Sequence, residues 1–85
     1  MNAAALLDEA EAVIAQRAAA YGPASDSMAA IAARWSLTLG ITVTPAQVVL
    51  CMIDLKLASL SHDPKHRDSV LDVIGYAALL PEIDR

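Results

Sequence analysis

The sequence predicts an all-α protein, a four-helix bundle in a single domain over residues 1–85, and three observations carry that prediction. Alanine and leucine dominate a composition that is 56% apolar, phenylalanine is absent and tryptophan occurs once. Such a mixture favours helices over sheets. Apolar residues recur at helical spacing through the first half of the chain. Stop and start residues, namely a T-x-x-Q box, prolines and glycines, then divide the chain into four stretches of helical length.

The first helix is expected over about residues 2–20, with Asn2 as its cap and Asp8, Glu9 and Glu11 in the half where the helix dipole tolerates acids. Arg17 continues the apolar stripe of Leu6, Ala10, Val13 and Ile14 instead of opposing it, and Tyr21 follows. Gly22 and Pro23 end the helix. The second is expected over about 27–39, capped by Ser25 or Asp26 and stopped by Gly40. Met28, Ile31, Trp35 and Leu39 form its inward stripe, with Trp35 in the core. The third, over about 45–61, has the best-marked start: Thr44 and Gln47 form a capping box, Pro45 takes the first helical position and Val43 can staple to Val48. It is apolar nearly all round, with six apolar residues in a row from Val48 to Ile53, which marks it as central or as an oligomer contact. Cys51, inside that run, reads as core filler. The fourth helix is expected over about 64–80, with Asp63 as cap, Pro64 first and Pro81 as stop, leaving Glu82 to Arg85 to fray.

Charge narrows the function classes. A formal charge of −4 argues against a duplex nucleic-acid binder, which needs a basic footprint. No basic amphipathic face suits a membrane surface, and no apolar run reaches the length of a membrane span. No Lys or Arg precedes the first apolar residues, so the start does not read as a secretory signal, and a single cysteine fits a reducing cytoplasm. The apolar surplus exceeds what so short a chain can hide, which predicts a homo-oligomer, a dimer or larger, built through the third and fourth helices.

Within the apolar second half a few charges stand out. The turn between the third and fourth helices is short, so the two pack antiparallel. Counting outward from it puts Lys56 at about the level of Ser69 and Asp54 near Leu71. Asp68 and Asp72, spaced i, i+4, share a face that Gly75, Tyr76 and Leu79 extend. Asp54, Lys56, Asp68 and Asp72 can therefore occupy one layer, although spacing leaves helix rotation open. Three readings follow. Lys56 can pair with Asp68 or Asp72 and fix register. Asp54, Asp68 and Asp72 can hold Mg²⁺ for a phosphate substrate, since a hard cation takes oxygen ligands. Or Lys56 and Arg17 can hold phosphate oxygens while an aromatic side chain, Tyr21, Trp35 or Tyr76, meets a base. His62, Asp63, His66 and Asp68 suggest zinc, but Asp63 is better used as a cap and two histidines need further ligands.

Four elements, Arg17-x-x-x-Tyr21-Gly22, Ile31-Ala32-x-x-Trp35-Ser36, Leu55-Lys56-Leu57-Ala58-x-Leu60 and Asp68-Ser69-x-x-Asp72-x-x-Gly75-Tyr76-Ala77, together resemble a small family of unassigned function common in bacteriophages and prophages. The stretch Leu71 to Leu79 is also similar to the last metal-binding helix of the MazG-like all-α NTP pyrophosphohydrolases. That resemblance implies an oligomeric helical bundle using Mg²⁺ to cleave nucleoside triphosphates. Asp72 matches the motif's final aspartate. Ser69 stands where a glutamate belongs, Asp68 is one residue off, and Asp54 and Lys56 fall in the region of the glutamate pair. The resemblance thus points more to nucleotide binding than to turnover. The expectation is a phage-type helical protein, in the cytoplasm of a bacterial host, that binds a nucleotide or related phosphate compound. The alternative is a non-enzymatic module that docks on a host or phage protein.

Overall fold

The computed structural model describes residues 2–83 and is helical throughout. Helix α1 spans Ala3–Tyr21, α2 Ala24–Leu39, α3 Pro45–His62 and α4 Arg67–Leu79, followed by a 3-10 turn over Leu80–Glu82. No strand occurs among the described residues. Glu82, expected to fray, lies in that last turn, and Asp84 and Arg85 fall outside the described residues.

The ends of α1 and α3 form as their local sequences dictate. The Asn2 side chain accepts the Ala5 N–H at 2.8 Å. Thr44 and Gln47 make both halves of the capping box, at 3.2 and 3.0 Å. Two other starts differ from expectation. Helix α2 begins at Ala24, not 27, and neither Ser25 nor Asp26 caps it; the Pro23 carbonyl accepts the Asp26 and Ser27 N–H groups at 3.1 and 3.3 Å. Pro23, at φ −58° and ψ 134°, is extended and stands just outside the helix, so it and Gly22, at φ +81°, make the bend together. Helix α4 begins at Arg67, not 64, and its cap is His66, whose Nδ1 accepts the Ser69 N–H at 3.3 Å and lies 2.8 Å from Ser69 Oγ. Asp63 instead closes α3, and its carboxylate accepts the Lys65 N–H at 3.2 Å. Reversing the chain needs the Asp63–His66 turn, which a helix starting at Pro64 would leave no room for.

In space α3 packs on both α2 and α4, and α1 packs chiefly on α4. The Ser36 hydroxyl donates to the Ala32 carbonyl at 2.7 Å and accepts the Val43 N–H at 2.8 Å, tying the α2–α3 loop to its own helix. The sealed core is small: Ala10, Ala32, Val48, Val49 and Leu71, with Ser69 satisfied beneath the His66 cap. Trp35, expected in the core, is half-buried, and Leu39, expected inward, is exposed at its helix end. Cys51 is exposed, contrary to its reading as filler. The inward face of α3 runs through Val48, Val49, Met52, Ile53, Lys56 and Leu60, and Cys51 lies past its edge, about 60° around the helix from Val48 and about 200° from Val49.

Candidate functional site

Asp72, in the second turn of α4, is where three helices meet. One carboxylate oxygen lies 3.2 Å from Lys56 Nζ of α3, and the other lies 3.4 Å from an Arg17 guanidinium nitrogen of α1. The Asp72 side chain is 18% exposed, Lys56 28% and Arg17 55%. Lys56 is thus the nearer and better-shielded partner, and it compensates the carboxylate. Arg17 adds a second cation to a single anion, so the trio carries a formal excess of one positive charge. A further bridge, Arg67 to Glu9, joins α4 to α1. Glu9 and Arg17 advance along α1 as Arg67 and Asp72 advance along α4, so the two helices run in the same sense.

Beside this trio lies an open groove of about 480 Å³, formed by the second half of α1, the start of α2 and the length of α4. That size falls in the range of small-molecule sites. Val13, Ile14, Leu71 and Leu79 supply apolar lining, and Arg17, Asp72 and Glu82 supply charge. Tyr76 is a half-buried part of the wall, while Tyr21, 78% exposed, stands at the lip. Ala24, Ser25 and Ser27 bring in the first turn of α2, which no side chain caps. The Asp26 and Ser27 N–H groups go to the Pro23 carbonyl, so those of Ala24 and Ser25 are left for solvent or a ligand. An alanine Cβ built at Gly75 would come no nearer than 4.0 Å to Ile14 Cγ1, so close helix approach is not what the glycine provides; it leaves the groove wall low.

The structure sorts the residues named from sequence. Arg17, Tyr21, Tyr76 and Asp72 share the groove. Lys56 touches Asp72 but lines no pocket wall described here. Asp68 is exposed and borders a smaller recess of about 280 Å³ with Arg17 and Asp72. Asp54 is exposed on α3 and lines neither hollow. Among the described residues no three metal-capable side chains come together, so Asp54, Asp68 and Asp72 do not form a joint Mg²⁺ ligand set within one chain. Rotation of α3 is the reason: turning Lys56 inward toward Asp72 carries Asp54, two residues away, outward. Sequence reading missed the α2 contribution, because it placed that helix three residues too late; Pro23 before a helix start was the available signal.

Comparison with known proteins agrees on the family. The chain is 38% identical over 80 residues to the "Gene 55 protein" of Mycobacterium phage L5, a match covering 92% of this chain and 51% of that protein. The chain therefore spans about half the length of this curated relative. No solved structure matches it. Residues 5–84 match the model of a domain of unknown function, DUF6378, and with a phage relative at that identity the chain belongs to this family.

Proposed function

We propose that the α1–α4 groove binds a nucleotide or a related phosphate compound, in the cytoplasm of a bacterial host. One observation carries this reading: the nearer Lys56 shares the Asp72 carboxylate, which leaves the half-exposed Arg17 guanidinium with donors to offer at the edge of a mostly apolar groove. A phosphate there gains charge-assisted hydrogen bonds from Arg17 and from the Ala24 and Ser25 N–H groups at the start of α2. Tyr76 and Tyr21 offer flat surfaces for a base. The finer expectation, Mg²⁺-dependent cleavage of a phosphoanhydride as in the MazG-like enzymes, needs carboxylates that one chain does not gather, so the proposal is one of binding.

A thermal-shift panel of nucleoside mono-, di- and triphosphates, with and without Mg²⁺, tests it. Millimolar ligand is expected to raise the melting temperature of the protein, and Arg17→Ala to abolish the rise. Absence of any shift across the panel overturns the reading. The alternative, a module that docks on a host or phage protein, is favoured by the apolar side chains exposed around α3, and it predicts no nucleotide response.

A further inference from the structure

The outer surface of α3 has no partner among the described residues. Leu50 and Leu57 are half exposed on one flank of that surface, Leu55 and Cys51 are exposed on the other, and Asp54 lies between them. Leu37, Leu39 and Ile41, on the approach to α3, are exposed by 61 to 81%. These six large apolar side chains lie in one segment of sequence, around the α2–α3 turn and along α3. None of them lines the groove.

The whole-molecule dimensions show surface in excess of what a compact monomer exposes. A compact monomer of 8.9 kDa has an accessible surface of roughly 4,800 Å² by the usual mass scaling. This chain exposes 5804 Å². Its radius of gyration is 13.6 Å, against about 12 Å for a compact domain of its length. The surplus is on the order of 1,000 Å², and a standard stable interface removes about 800 Å² from each partner. The groove accounts for part of the surplus, but the large apolar side chains left uncovered lie almost entirely elsewhere.

We infer that the outer face of α3 is a self-association surface whose occupant is a second copy of the same chain. This rests on area and does not depend on the groove reading. A pair of identical chains associates through a two-fold axis, each presenting the same patch. Asp54 limits where that axis runs. Leu50, Asp54 and Leu57 follow one another at four- and three-residue spacing, so an axis through Asp54 would bring two carboxylates together in a desolvated seam. The axis therefore passes near Leu50 and Cys51, toward the end of α3 where Ile41 also lies. That arrangement places Cys51 close to its symmetry mate.

The full-length protein at about 100 µM in reducing buffer is expected to show twice its 8.9 kDa mass by light scattering. The double variant Leu50→Glu, Leu57→Glu is expected to show the single mass with its helical circular dichroism retained. A wild-type monomer overturns the inference, as does a variant that remains dimeric. Should the variant fail to fold, a short bis-maleimide reagent decides instead. It is expected to link the wild type through Cys51 and to leave unlinked a Cys51→Ser, Ala15→Cys protein, whose thiol sits on exposed α1. Equal linking of both, or of neither, also overturns it.

Discussion

On the side where α1 meets α4, Arg17, Asp72 and Lys56 hold charges against one another at 3.2–3.4 Å, next to an apolar hollow. On the far side of α3, Leu50, Cys51 and Leu57 hold no charge and face outward. The usual arrangement, apolar within and charged without, is relaxed at both places, with Lys56 and Asp72 partly shielded on one side and leucines flanking the exposed Asp54 on the other. The difference is instructive because both sides depend on one rotation of α3. The turn of that helix that brings Lys56 onto Asp72 is the turn that sends its leucines out. A half-shielded ion pair adds little net stability, and exposed leucines add none.

The largest expected effect tests the inner side of α3. Val49 is fully buried, and Val49→Ala removes two methyl groups from the small core, so it is expected to cost about 2 kcal/mol in urea denaturation. A loss below about 0.5 kcal/mol would show that α3 is not the centre of the fold. Next comes the charged trio. Asp72→Ala strips two cations of their carboxylate and is expected to cost about 1 kcal/mol, a figure reduced for the exposure of Arg17. Adding Lys56→Met is expected to recover part of that loss, since the stranded ammonium is then gone. Strict additivity of the two would break the contrast drawn above.

A smaller effect separates the two candidate caps of α4. His66→Ala is expected to cost up to about 1 kcal/mol, and Asp63→Ala only a few tenths. Equal losses would move the cap back to Asp63. The last effect has the opposite sign. Gly75→Ala is expected to raise stability by up to about 1 kcal/mol, because the added methyl gains helix propensity and meets nothing nearer than ordinary contact distance. The same methyl intrudes on the groove, so ligand affinity is expected to fall while stability rises.

Local sequence made some of this legible and left the rest hidden. The start of α3 was readable because Thr44, Pro45 and Gln47 act within a single turn. That Lys56 would meet Asp68 or Asp72 was readable because a short turn sets the level of two antiparallel helices; the choice of Asp72 was not, because it depends on helix rotation. Arg17 was readable because it breaks no stripe; it extends one. The α4 cap was misread because Asp63 is the better cap by type, yet the chain needs it for the turn. Asp54 and Cys51 were misplaced for a common reason: composition says that α3 is apolar all round, and only packing decides which side faces in. The groove itself depends on the bend at Gly22 and Pro23, where periodicity carries no signal.

The three glycines provide the most direct test, since their backbone amides are readily resolved by NMR. Gly22 and Gly75 line the groove, and Gly40 sits at the α2–α3 turn, away from it. Titration of the full chain with a nucleotide is expected to move the amide signals of Gly22 and Gly75 and to leave Gly40 in place. If no glycine moves at millimolar nucleotide, or if Gly40 moves alone, the groove beside Arg17 and Asp72 is not a phosphate-compound site.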